Sequence, residues 1–184
     1  IRFIIKCLEK CLKSRYHYNE WENLCEKYSN IHIPQRPYLF LYLVSTKYNN
    51  CRHFIDFIKK EFDLEVVYID KYNIKRNNIE YHYKRVSPFD WVKLLKYSSY
   101  VLTDSFHGTA FSLLFHKQLS IIKTNNPMRL VDLLKIVNVK NKMFSTIEEL
   151  ESVCRNDIDF SKVDEYLTYA RFKSNRLLDE ALKL

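Results

Sequence analysis

The chain has 184 residues, of which 47% are hydrophobic and 15% aromatic; this length and composition suit a folded domain with a sizeable core and exclude a disordered segment. The formal charge of +8 is spread along the chain, so it fits either an anionic partner or a lysine-rich solvated surface. No RNP-like aromatic motif and no zinc-finger spacing is present, which argues against nucleic acid.

Residue 1 is Ile rather than Met, which reads as a piece of a longer protein or a processed form. Ile1–Arg15 places Ile1, Phe3, Ile4, Ile5, Leu8 and Leu12 among six charged residues. That pattern predicts an amphipathic helix, too short and too charged to span a bilayer and without a signal-peptide cleavage region. Such a helix packs on its own domain or on a further one; a peripheral membrane contact is the alternative. Asn19–Tyr28 reads as a second helix, and Pro34 and Pro37 mark an extended approach to the first strand.

Tyr38–Val44 (YLFLYLV) is a continuous apolar run, as in a strand buried on both faces. Asn49–Asn50 reads as a turn, and Cys51–Phe62 as a helix with Phe54, Ile55, Ile58 and Phe62 on one face. Glu65–Ile69 is a second short strand. Residues 70–85, polar and rich in Asn and Lys, read as a surface loop and as the variable segment that would face an acceptor. Ser87-Pro88-Phe89-Asp90 opens a helix to about Tyr97, with Ser as N-cap, Pro at N1 and an acid in the first turn. Tyr100–Thr103 is a third strand, Thr109–Phe115 a helix, Leu119–Lys123 a fourth strand and Met128–Ile136 a helix. Thr146 and Glu149 form a capping box for Ile147–Cys154, and a long helix covers Ser161–Leu182. Alternating strands and helices imply a Rossmann-like α/β fold: a parallel sheet with helices on both faces. Residues 1–36 form a helical N-terminal segment and 37–184 the Rossmann-like domain.

The five cysteines, Cys7, Cys11, Cys25, Cys51 and Cys154, are odd in number and contain no C-x-x-C pair, which points to a reducing, cytoplasmic setting. His17, His32, His53, His82 and His116 show no metal-ligand spacing, and no metal is called for. Glycine occurs once, at position 108, where average usage gives roughly a dozen. Asn and Asp take over turns, and the surviving glycine marks a place where a side chain does not fit or φ is positive.

Ligands of open parallel sheets bind at the carboxyl ends of the strands. The densest strand end here is Thr103-Asp104-Ser105-Phe106-His107-Gly108-Thr109. A helix N-terminus at that place offers amide N–H groups and a positive dipole end to an anion. Gly108 would permit close approach, Thr109 and Ser112 would add hydroxyls, and His107 would donate to an anion or act as general acid or base. Asp104 would orient that imidazole or cap the helix. The plainer reading makes Asp104 or Ser105 an ordinary N-cap and His107 a satisfied junction residue.

The stretch Tyr100–Phe115, YVLTDSFHGTAFSLLF, resembles the signature of the polysaccharide pyruvyl transferase family. Trp21 in EWENL, Pro37-Tyr38, Ser87-Pro88-Phe89, Arg129 before LVDLLKIV and the tail ARFKSNRLLDEAL follow in the family's order, so the resemblance covers about residues 19–184. It implies the C-terminal half of a two-domain fold like that of type B glycosyltransferases, with the site in the cleft between domains. It also implies transfer of a pyruvyl group from phosphoenolpyruvate to a sugar of a cell-surface polysaccharide or its lipid-linked precursor, at the inner face of the membrane, with no cofactor beyond that donor. His107 matches the family's catalytic histidine, with Asp104 beside it. Ser105, Gly108, Thr109, Ser112, Lys117, Lys123 and Arg129 are the donor-binding candidates, the cations answering the phosphate and carboxylate. Ser105 stands where some branches carry Arg, Gln118 stands where Pro is usual, and no part of the chain resembles the family's N-terminal domain. A non-catalytic fragment acting as a binding module, or a domain binding a nucleotide sugar at the same strand ends, are the alternatives.

Overall fold

The computed structural model describes residues 18–70, 78–84, 86–139 and 142–182. The amphipathic segment Ile1–Arg15 lies outside them. Helix α1 (Tyr18–Tyr28) leads to β1 (Tyr38–Tyr42), α2 (Tyr48–Glu61), β2 (Glu65–Asp70) and β3 (Tyr81–Lys84). Then come α3 (Pro88–Lys96), β4 (Tyr100–Thr103), α4 (Phe106–Leu114), β5 (Leu119–Ile122), α5 (Met128–Ile136), β6 (Met143–Phe144), α6 (Ile147–Arg155) and α7 (Phe160–Leu182).

The strands form one six-stranded sheet in the order β3-β2-β1-β4-β5-β6, with every pairing parallel. The fold is Rossmann-like α/β. Apolar residues cover both faces because alternate side chains of each strand point opposite ways. Leu39 and Leu41 of β1 pack with Ile55 and Ile58 of α2 and Leu150 of α6. Tyr38 and Phe40 pack on the other side with Leu94, Leu95, Leu113, Leu133 and Val163, from α3, α4, α5 and α7. Cys25 of α1 is fully buried in that second layer. Burial pushes its thiol up to about 11.

Several local expectations are corrected. Asn49 and Asn50 are not a turn: α2 starts at Tyr48, whose buried ring packs with Cys51 and Ile55 and lies 5.6 Å from that of Tyr68. The polar stretch 70–85 is not all loop, since Tyr81–Lys84 pairs with β2 as an edge strand, half-buried and so without an apolar run. Strand β6, two residues long, gave no pattern to read. Helix α4 begins at Phe106, three residues ahead of the expected Thr109.

The capping expectations hold at α3, where Ser87 and Asp90 form a reciprocal box. At α6, Thr146 Oγ1 accepts the Glu149 amide at 3.3 Å, but the Glu149 carboxylate reaches the N–H of Ser145, one residue outside the cap. Left-handed backbone positions are taken by Asp63, His116 and Asn138, with φ of 48°, 53° and 54°. Asp and Asn thus stand where glycine is usual.

Candidate functional site

The chain runs from β1 outward to β2 and β3, then crosses back to β4 on the other side of β1. The strand order therefore reverses between β1 and β4, and in open parallel sheets the crevice that takes a ligand lies at such a switch point, at the carboxyl ends of the strands. Register pairs Tyr42 with Thr103, so the loops after β1 and β4 leave the sheet side by side. The first is Leu43–Lys47; the second holds Asp104 and Ser105.

Thr103 organises the turn into α4. Its Oγ1 donates to the Tyr42 carbonyl at 2.6 Å and accepts the Ser105 amide at 3.0 Å. Ser105 is the N-cap, its Oγ accepting the Gly108 N–H at 3.4 Å. His107 thus stands in the first turn of α4 rather than on a loop crest, and its side chain is exposed. The amides of Phe106 and His107 belong to the set that an α-helix cannot satisfy internally.

Gly108 has no positive φ. A Cβ there would meet Thr103 Oγ1 at 2.5 Å, so the residue lets α4 press against the end of β4 and is not an opening toward a ligand. Thr109 and Ser112 are fully buried, and their hydroxyls donate to the carbonyls of Ser105 (3.0 Å) and Gly108 (2.7 Å), four residues back. Those two hydroxyls are engaged by carbonyls of their own chain at the start of α4.

Asp104 neither caps the helix nor touches His107. Its Oδ1 accepts the amide of Val44 at 2.7 Å, and its Oδ2 accepts those of Ser45 at 2.8 Å and Thr46 at 2.5 Å. The Asp104 charge and burial raise the pKa of the half-buried Tyr42 phenol, burial contributing most.

The cations divide. Arg129, in the first turn of α5, places its guanidinium carbon 4.8 Å from the centre of the Phe106 ring, and that ring lies 5.8 Å from the imidazole of His107. Lys123 follows β5, the strand beside β4, and is exposed at the same edge of the sheet. Lys117 lies past the other end of α4, where β5 begins, and burial with the repulsion of Lys96 lowers its pKa. It is a helix length, roughly 13 Å, from the His107 turn. The site therefore gathers His107, Arg129 and Lys123 at one edge, with Ser105 and Gly108 as its scaffold. Lys47, exposed at the end of the neighbouring loop, escaped the sequence reading because nothing local marks it; only the order of strands brings it there. Among the described residues no group of three or more His, Cys, Asp and Glu side chains is placed to hold a metal ion.

The family model of the polysaccharide pyruvyl transferases matches residues 6–126, more than half of the chain and inclusive of the whole His107 turn. The chain belongs to the polysaccharide pyruvyl transferase family. Its function is accordingly of the polysaccharide pyruvyl transferase type, with a polysaccharide as the acceptor that the family implies. No curated protein matches the chain. Arg129 and the tail that resembled this pyruvyl transferase family lie beyond the matched residues. No helix of the described residues is long and apolar enough to cross a membrane.

Proposed function

We infer that this pyruvyl transferase family member moves the pyruvyl group of phosphoenolpyruvate to a sugar of a cell-surface polysaccharide or its precursor, free or lipid-linked, and closes a cyclic ketal. The observation that carries this reading is the exposed His107 on the first turn of α4, at the switch point, with Arg129 reaching over the neighbouring Phe106. The first-turn amides and the helix dipole suit the donor's phosphate, and a guanidinium suits a phosphate or carboxylate as a two-pronged donor.

In this reading His107 delivers a proton to the methylene carbon of the donor while a sugar hydroxyl adds to the adjacent carbon. A second hydroxyl then takes the place of the leaving phosphate, and the two hydroxyl protons balance the one given to carbon and the one carried off. Residues 1–36 would join residues 37–184 to whatever else forms the cleft, and the reaction would take place in the cytoplasm, at the inner face of the membrane when the acceptor is lipid-linked.

Calorimetric titration of phosphoenolpyruvate into the chain and into His107→Ala tests the donor site. Saturable binding by the parent that weakens in the variant is expected. A folded parent that takes up no phosphoenolpyruvate would remove this site from the donor's path.

A further inference from the structure

The buried carboxylate of Asp104 lies between the two loops of the crevice, and the chemistry proposed for His107 leaves it without a part. It is 5% exposed, and both of its oxygens are engaged by the successive amides of Val44, Ser45 and Thr46. Three N–H groups converging on one carboxylate fix the backbone of a loop that contains no glycine or proline and has no pairing of its own after Tyr42. In that loop Leu43 packs against the core and Thr46 is half-buried. Val44, Ser45 and Lys47 are exposed, so the amides turn inward to Asp104 while a hydroxyl and an ammonium are left outward beside the crevice. Lys47 is also the N-cap residue of α2, in extended backbone, and its ammonium, which has only N–H donors, cannot cap the N–H groups of that first turn.

We propose that Asp104 is a positioning residue which holds the Val44–Thr46 loop as the second wall of the crevice opposite His107, and that Lys47, carried by that loop, contacts the anionic donor. The assignment of the donor rests on the function proposed above; the positioning role does not. The amides of residues 44–46 are consumed by Asp104, which leaves cations and the first turn of α4 to meet an anion. A negative charge next to an anion site is tolerated because the three amides disperse it.

The experiment has two arms on the same 184-residue chain. Amide hydrogen exchange by NMR is followed at Val44, Ser45 and Thr46 in the parent and in Asp104→Asn, with Val101 and Leu102 of β4 as internal controls. The amide group of Asn presents its own N–H donors to these backbone donors, so exchange at the three positions should quicken by about tenfold or more while β4 keeps its protection. Equal rates in a folded Asp104→Asn overturn the positioning role. If that variant does not fold, unprotected amides at 44–46 in the parent overturn it equally. In the second arm, Lys47→Ala, an exposed substitution, should weaken phosphoenolpyruvate about five- to tenfold, with a shallower salt dependence than the parent. Unchanged affinity sinks the contact by Lys47. A parent that binds no phosphoenolpyruvate but shows the exchange response overturns the donor assignment alone.

Discussion

A Cβ on Gly108 would stand 2.5 Å from Oγ1 of Thr103, and that hydroxyl is itself held by the Tyr42 carbonyl and the Ser105 amide. The oxygen cannot swing aside without breaking two bonds at the end of the sheet. Gly108→Ala gains helix propensity of about 1 kcal/mol but meets an overpacking cost of about 1–3 kcal/mol, so a net loss of up to about 2 kcal/mol is expected in urea unfolding. Thr103→Ala removes the colliding atom, and the double variant should lose less than the sum of the two singles. A midpoint for Gly108→Ala at or above that of the parent would show that α4 shifts freely on β4.

The separation of Arg129 from Lys117 gives a direct contrast between residues that the sequence placed together. Arg129→Ala should weaken phosphoenolpyruvate binding by about tenfold, and Arg129→Lys should recover only part of that because an ammonium lacks the planar fork. Lys117→Ala should leave the affinity at the parental value, since its side chain lies beyond the far end of α4. Equal losses in both alanine variants would place the donor away from the switch point.

The cap of α3 joins local and tertiary structure. Ser87 Oγ accepts the Asp90 amide at 3.1 Å, and Asp90 Oδ1 accepts the hydroxyl of Ser29, just past α1, at 2.6 Å. Ser87→Ala should cost about 1 kcal/mol in chemical denaturation, whereas Ser87→Thr, which keeps the hydroxyl, should cost less. An equal loss in both would assign the effect to packing rather than to the cap.

Glu26 of α1 accepts the Tyr97 hydroxyl at 2.7 Å and pairs with Lys93 at 3.0 Å. The Tyr97 hydrogen bond, ahead of the lysines, draws its carboxyl from 4.5 down to about 2. A carboxyl depressed on folding stabilises the fold above its unfolded pKa and loses that contribution as pH falls through the folded one. The stability gap between the parent and Glu26→Gln should therefore be widest above pH 4.5 and close as the pH approaches 2. The gap should be small and salt-sensitive because the carboxylate is 42% exposed. A gap constant with pH would show that the Tyr97 and Lys93 contacts do not act on the ionised form.

Ser87-Pro88-Phe89-Asp90 announced its helix because capping chemistry is local: the donor, the acceptor and the turn lie within four residues. The run Tyr38–Val44 announced a central strand because burial on both faces demands apolar residues at every position, although the strand itself stops at Tyr42. Strand β3 stayed hidden, since an edge strand with half-exposed residues needs no such run and is defined by pairing with Val67–Asp70. The strand-to-helix junction that carries His107 was legible in the sequence, but its internal arrangement was not. Thr109 and Ser112 have the chemistry of ligand donors and bond instead to their own helix, and that choice depends on which face of α4 meets the sheet.

The amino-acid sequence by itself determined the α/β alternation, the caps, the single glycine and the strand end that carries His107, because each of these rests on residues near one another along the chain. Only the tertiary structure decided that Asp104 serves the loop after β1, that Lys117 stands apart from Arg129 and Lys123, and that the loop ending in Lys47 leaves the sheet beside the His107 turn. The physical reason is the order of the sheet. A crossover that lays β4 beside β1 brings residues some sixty positions apart into hydrogen-bonding distance, and no local pattern of side chains encodes which strands become neighbours.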